Sequence, residues 1–421
     1  MTEHFLTTDI DYNMLYDTEF NVDGVFKLNG SPVVSQVELP YINIVDRGAE
    51  PGGSIDVSAV IQAAVNEVAA NGGIVRIPAG TWRVNNTVVI SGTRVSVVGD
   101  DAAGCRIEYY GTGAVFDMSG DGYLELAKMR IVNTGGTGTH GVVVGKSGSV
   151  TGWKYEVRNV EVDGFLTAGL HVANCEQSIF HKVYAHSGNA VGFLVDNSRH
   201  STNSNGINNR FEMCRAHDNV GRGWDINEQS LATFDDCQSL NNNAGNTSEY
   251  QFRLGGSSVA CRLYNLDLED HAATGTNGIT VSGSGHLLDG ILGFQLTKLI
   301  DLNTTSNIYI GRVVPSTITT VLTIGATCTH TTYLDAGNLG TVSNGAPTST
   351  YAIGFAGATR RLTVNGEAGG GYILFRSEQS VDPAAPSANG AILFTKDNGS
   401  GKTQLCVRFA SGLTQVFATE P

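Results

Sequence analysis

One short phrase recurs through the middle of the chain at near-constant spacing, and that recurrence leaves few folds open. GVVV begins at Gly141, GLHV at Gly169, GFLV at Gly192, GWDI at Gly223, QFRL at Gln251 and GITV at Gly278. Successive starts lie 28, 23, 31, 28 and 27 residues apart. Each copy carries apolar side chains at its second and fourth positions, the period of a strand with one buried face. The copies therefore read as rungs of a solenoid, and the spacing predicts an all-β parallel β-helix. The 53 glycines among 421 residues suit frequent turns, and a charged fraction of only 16% suits strands stacked on both sides. A formal charge of −14 weighs against a nucleic-acid partner, which needs concentrated Lys and Arg.

A second register precedes each phrase: VRNVEVD from Val157, FHKVYAH from Phe180, FEMCRAH from Phe211, FDDCQSL from Phe234 and CRLYNLD from Cys261. Its first and fourth positions, the latter being Val160, Val183, Cys214, Cys237 and Tyr264, are expected to stack as core columns. Phe193, Trp224 and Phe252 of the phrase are expected to do the same. Alternation then turns outward Glu161 and Asp163, Tyr184 and His186, Arg215 and His217, Gln238 and Leu240, and Asn265 and Asp267. In the phrase it turns outward His171, Leu194, Asp225 and Arg253, with Asp196 and Glu228 just beyond their strands. This band of ionisable groups between about Glu161 and Asp270, on a surface otherwise poor in charge, is the candidate site. The polar stretch 196–210 is expected to protrude beside it as a loop.

Upstream, Val60, Ile61, Ala64, Val65 and Val68 share one helical stripe, with Asp56 as the expected N-cap and Asn71-Gly72-Gly73 as the stop. A helix at about 56–70 is expected to close one end of the solenoid, hiding its edge strand. Seven cysteines lack CxxC spacing and the density of a disulfide scaffold, and Cys214 and Cys237, 23 residues apart, are expected to stack inside the solenoid as small apolar residues. The opening MTEHFLTTDIDYN lacks a signal-peptide pattern, and no apolar run is long enough to span a bilayer. A chain outside the general secretory route, without membrane insertion, is expected.

The segment from the helix through GGIVRIPAGTWRV to VSVVGD, about residues 41–100, resembles the opening of the pectate-lyase-like β-helix superfamily. The resemblance implies a right-handed coil, carried by the repeats to about residue 325. It implies no single activity, because lyases, hydrolases, epimerases and phage tailspikes share it. The last forty or so residues, PAAPSANGAILFTKDNGSGKTQLCVRFASGLTQVFATEP, resemble the closing segment of phage tail-fibre and tailspike chains. That likeness implies a virion protein and a homotrimer. It further implies a segment 1–40 that joins phage tail or adaptor proteins, a β-helix over 41–337, and a β-rich trimerisation or receptor-binding region over 338–421. The implied ligand is a bacterial surface polysaccharide.

Hydrolysis of such a glycan needs two carboxyl groups, about 5–5.5 Å apart for retention or about 6.5–9.5 Å for inversion. Asp225, Glu228 and Asp196 are the candidates for that pair. Elimination would instead need a base such as His186 or His217 and a cation, Arg215 or Arg253, to neutralise a uronate. Tyr184, His171, Arg215, His186 and Arg253 are expected to contact substrate, and Tyr184, Trp153 and Tyr250 to offer rings for sugar stacking. No cofactor or metal is expected. Asp235-Asp236 is the nearest imitation of a calcium cluster, and one of the two should sit at a bulge. Three readings stay open: a tailspike depolymerase, with hydrolysis favoured over elimination; a non-catalytic receptor-binding fibre; and an extracellular bacterial polysaccharide lyase or epimerase.

Overall fold

The computed structural model describes residues 40–148, 151–199, 206–243, 249–271, 276–335 and 390–420, with short pieces at 25–28, 31–35, 341–344, 353–354, 382–383 and 385–386. The chain divides into two compact units, Met1–Gly366 and Glu367–Pro421.

In the first unit strands pair in parallel from coil to coil, and the phrases fall in register. Val142 lies against Leu170, Leu170 against Phe193, Phe193 against Trp224, Trp224 against Phe252 and Phe252 against Ile279. The ladder reaches back to Val88 and Phe116 and on to Ile300 and Leu322, and all of these side chains are buried. The fold is a parallel β-helix. Parallel pairing continues through Thr341–Asn344 and Ile353–Gly354.

A representative coil holds a first run Arg210–Glu212, a second run Arg215–His217, a third run Trp224–Ile226 and a short strand Gln229–Ser230. One residue, Met213, makes the corner between the first two runs, at φ 52°. Its equivalents Lys128, Asn159, Lys182, Asp236 and Asn265 are all left-handed too. Such a conformation costs a non-glycine residue about 1–2 kcal/mol, and it turns the chain while keeping both flanking side chains inside. Inward residues are therefore three apart across this corner, as in Phe180 and Val183, Phe211 and Cys214, and Phe234 and Cys237. Asp236 is the bulged member of the Asp235-Asp236 pair.

The coil after Phe234 departs from the expected alignment by two residues. Phe234 pairs with Leu263 and Asp235 with Tyr264. Leu263 and Leu266, not Cys261 and Tyr264, continue the two core columns, and the outward pair is Asp267 and Glu269 rather than Asn265 and Asp267. Cys261 is buried as well, but at the preceding corner.

Two aromatic ladders meet in the core. Phe193 stacks on Trp224 with centroids 3.9 Å apart, and Phe180, Phe211 and Phe234 stack at 4.6 and 4.9 Å. Across the interior Trp224 meets Phe211 and Phe234 edge-on, at 87° and 89°. Each such contact adds about 0.5–1.5 kcal/mol beyond burial. The glycine that opens each phrase is required by this packing. A Cβ on Gly169 would lie 2.6 Å from the Cβ of Ala185, and one on Gly223 would lie 2.1 Å from Ser239 Oγ. Gln251 takes the same place and uses the interior differently, its Oε1 accepting from Asn242 N at 3.1 Å and its Nε2 donating to Glu269 O at 3.1 Å.

Buried amides satisfy the inward-facing N–H groups at the corners. Asn219 Oδ1 accepts from Gly188 N, Asn242 Oδ1 from Asn219 N, and Asn209 Oδ1 from Ser178 N. At one such place the acceptor is a histidine, His286, which is 1% exposed. Its Nδ1 accepts from Cys261 N at 3.1 Å, so Nε2 carries the proton and donates to Ser282 O at 3.0 Å.

The helix spans Ser58–Val68 and buries Ile61, Ala64, Val65 and Val68, with Val60 only partly covered. Val57 rather than Asp56 occupies the N-cap position, but the Asp56 carboxylate accepts from Ser58 N at 3.0 Å. Gln62 treats the edge strand Val88–Ile90 as a pairing partner, accepting from Val89 N at 2.7 Å and donating to Val89 O at 3.0 Å. Near the N-terminus Val25–Leu28 pairs with Ser31–Ser35 as a hairpin. The second unit holds an antiparallel meander of Ala391–Asp397, Thr403–Phe409 and Thr414–Thr419. Residues 355–381 of the region expected to be β-rich lie outside the described residues. All seven cysteines are buried and free.

Burial lowers the His286 pKa from 6.5 to about 4. The unfolded chain then takes up a proton that the folded chain refuses. This stabilisation is complete above about pH 6.5 and is lost as pH falls to about 4, an effect on the order of 3 kcal/mol. Asn209 serves the equivalent corner, so His286→Asn should keep the acceptor and flatten the pH dependence of thermal unfolding between pH 4 and 6.5.

Candidate functional site

Stacking aligns the outward positions of the second run into two adjacent columns. One holds Arg130, Glu161, Tyr184, Arg215, Gln238 and Asp267, and the other Asp163, His186, His217, Leu240 and Glu269. Arg130 grips Glu161 at 3.1 Å and Asp163 at 3.0 Å. His186 Nε2 lies 3.0 Å from Glu161 Oε1, and its ring stacks on His217 at 4.6 Å and 9°.

Burial lowers the His217 pKa, and the neighbouring His186 and Arg215 add to this against the opposing hydrogen bond to Asp218. Burial works against the charge on Asp218, but hydrogen bonds from His217 and Asn241, with the nearby charge of Arg215, together outweigh it and hold that carboxyl below its ordinary value. His217 Nδ1, 2.9 Å from Asp218 Oδ2, therefore donates to a carboxylate. Its neutral ring keeps a lone pair on Nε2, the atom a general base uses. Farther along the stripe, burial and the adjacent Glu269 raise Asp267 to about 6. Gln238 Nε2 donates to Asp267 Oδ2 at 3.3 Å, and His271 pairs with Glu269. A neutral imidazole and a carboxyl poised to hold a proton thus share one outer face.

On the outward side of the third run, charges close on one another. Asp225, 7% exposed, gives Oδ1 to Arg253 Nε at 2.6 Å and Oδ2 to Arg222 Nη1 at 3.1 Å, and Arg222 also pairs with Glu249. Asp301 accepts from Tyr250 OH at 2.5 Å and from Lys298 Nζ at 3.0 Å. His171 Nε2 meets Asp196 Oδ1 at 2.9 Å, and its ring stacks on His140 at 5.2 Å. Burial, then the neighbouring His171 and Arg199, lowers His140 to about 4. Burial works against the charge on Asp196 too, but hydrogen bonds from His171 and Ser198 hold its carboxyl below the usual range.

Of the residues expected to form a hydrolytic pair, Asp225 and Asp196 are already engaged by other side chains. Among the described residues Asp225, Asp196 and Glu228 share no hydrogen bond and no common cation. Both Asp225 oxygens are taken by guanidiniums, and Glu228 is a left-handed residue at φ 53°. Arg253 is likewise spent on Asp225, and Tyr250 on Asp301. By contrast His186, His217, Arg215 and Tyr184 do share one face. Asp270 leaves the charged band, since it is buried and accepts from Thr276 Oγ1 at 2.9 Å. The start of the polar loop turns back along the coils, where Arg199 meets Asp117 through two 2.7 Å bonds; residues 200–205 lie outside the described residues. Trp153 is 41% exposed and packs edge-on against Tyr123 with Lys154 over both rings. No group of three or more His, Cys, Asp or Glu among the described residues could hold a metal ion. Glu269, His271 and Asp218 were not anticipated as members of the site. Glu269 was hidden by the two-residue shift, and the other two lie just beyond strand ends.

The family described as "Rhamnogalacturonase A/epimerase, pectate lyase-like" matches residues 41–119. No protein of curated function matches the sequence. Among solved structures, ORF18 of Geobacillus virus E2 is similar over 90% of this chain and 76% of its own, with a TM-score of 0.61 at 17% identity. The gp42 tailspike of Acinetobacter phage vb_AbaP_AS12 is similar over 95% of this chain and 85% of its own, with a TM-score of 0.57 at 9% identity. The enzymatically active domain of tailspike protein 2 from bacteriophage CBA120 is similar over 94% and 72%, with a TM-score of 0.52 at 13% identity. The fold is that of the pectate-lyase-like β-helices, tailspikes included.

The two faces should respond oppositely to loss of a carboxylate. Asp225→Ala leaves two arginines facing each other and should cost roughly 3 kcal/mol, read as a fall in unfolding temperature. Asp267→Asn removes a charge that the fold disfavours, so at pH 8 its unfolding temperature should match or exceed that of the parent, with the advantage shrinking as pH falls through about 6 and gone below about 4.

Proposed function

We propose that the chain is a bacteriophage tailspike that binds a bacterial surface polysaccharide along the outward second-run face and hydrolyses it there. The observation that carries the reading is the meeting of Asp267, beside Glu269, with neutral His217 on one stripe, while the third-run carboxylates are closed in ion pairs. In this reading Asp267 gives its proton to the leaving glycosidic oxygen. His217 Nε2 takes a proton from the attacking water, and Asp218 fixes the ring tautomer. Two coil spacings, about 10 Å, and a two-residue offset along the strand separate the backbones of these groups, on either side of the stripe a glycan would occupy. The likeness to the tailspikes of Acinetobacter phage vb_AbaP_AS12 and bacteriophage CBA120 supports a phage setting, in which the protein resides in the virion and residues 1–40 engage phage tail or adaptor proteins. Exposed Leu393, Phe409 and Phe417 on the C-terminal meander support association of three copies.

Incubation with capsule or lipopolysaccharide of susceptible hosts should release new reducing ends. The rate should fall as pH rises through about 6, where Asp267 gives up its proton. Asp267→Asn should slow release by roughly 10²-fold or more. Unsaturated uronate absorbance would mean elimination instead, and adsorption without product would leave a binding fibre.

A further inference from the structure

Arg215 stands apart from every other half-buried arginine among the described residues. Arg76, Arg106, Arg130, Arg158, Arg199, Arg222, Arg253 and Arg408 each pair with a carboxylate, and Arg83 bonds to Asn85 and lies over Tyr110. Arg215 has no such partner, and its Nε is shut off from water without a hydrogen bond. The chain carries 40 acidic residues against 26 Lys and Arg, so carboxylates are in excess. Asp218 and Asp267 feel its charge without bonding to it. A half-buried guanidinium whose Nε is shut off from water and whose fork meets no carboxylate is built for an anion brought from outside.

Its surroundings say what kind of anion. Tyr184 occupies the same column one coil away and is 40% exposed, offering a ring. Gln238 follows on the other side, and His217 is two residues along the same strand. A planar acid group attached to a sugar ring would meet fork and aromatic together, whereas a free inorganic anion has no use for the tyrosine.

We infer that Arg215 receives the carboxylate of an acidic sugar whose ring lies against Tyr184, so that the polysaccharide is one built with carboxylated sugars. The inference rests on the second-run face being the glycan-binding face. It places the acid group one coil from Gln238 and two from Asp267, on the same stripe as the proposed acid and base.

Ligand-observed NMR titration with glucuronate and with glucose tests it. Wild type should bind glucuronate at least roughly tenfold more tightly than glucose, as a charge-assisted paired contact requires. Arg215→Gln should abolish that preference without lowering the unfolding temperature, since it removes an unbonded group. Arg215→Lys, which keeps charge but not fork, should retain part of it, and Tyr184→Ala should weaken both sugars alike. Equal binding of the two sugars by wild type, no binding of glucuronate, or an undiminished preference in Arg215→Gln overturns the inference. None of these bears on release of reducing ends from host glycan. A spike for neutral glycans would still cleave its polymer, and a non-cleaving fibre would still show the acid preference.

Discussion

In-register stacking of parallel coils is the constraint on which the rest of this molecule depends. Each residue meets its equivalents about 4.8 Å above and below, so a column multiplies whatever one position contains. Inside, multiplication favours flat rings and amides: Phe193 on Trp224, and Asn219 on Asn242. Outside, it punishes repeated charge. The third run resolves this by alternating sign, as in Asp225 and Arg253. The second run brings like groups together, His186 on His217 and Asp267 beside Glu269, and there the fold lowers or raises a pKa instead. Groups whose hold on a proton departs from the ordinary thus arise from the stacking that holds the fold together.

The same rule requires that a stack be stopped. At the N-terminal end Gln62 presents one amide to Val89 as though it were a further coil, which satisfies a strand edge with a side chain that cannot propagate pairing. Inside, the small residues of the second run and the glycine of the phrase approach too closely for a Cβ. The one copy that departs from glycine, Gln251, faces Ser239 and Asn242, whose polar atoms give its amide somewhere to bond.

Much of this was legible in the residues. The period of the phrase dictated which aromatics are internal, and Phe193, Trp224 and Phe252 are fully buried. The coil beginning near Cys261 shows where pattern stops helping. Cys261, Leu263, Leu266 and Leu268 are apolar in either register, so moving the corner from Leu263 to Asn265 costs the pattern only Tyr264, which turns from core to surface. What decides the register there is the left-handed corner, and Asn265 has no sequence mark that sets it apart from Lys182 or Met213 in the same role. Glu269 was lost to the site for that reason. One partner of Asp225 was illegible for a different one. Arg222, like the Glu249 it also pairs with, sits on a connection between runs, and no period relates it to the strand it neutralises.

The corner between the first and second runs is a single residue in coil after coil, Lys128, Asn159, Lys182, Met213, Asp236 and Asn265. Length variation among the coils is taken up elsewhere, as at 196–206 after a third run and at 241–250 and 270–277 after second runs. From Lys128 to Asn265 that edge of the solenoid is consequently narrow: the loop 100–104, which fills the same corner one coil earlier, has no counterpart there. The columns of Arg215 and Asp267 run alongside that edge. Among the described residues the edge offers no wall, so whatever lies along those columns can extend past it on that side.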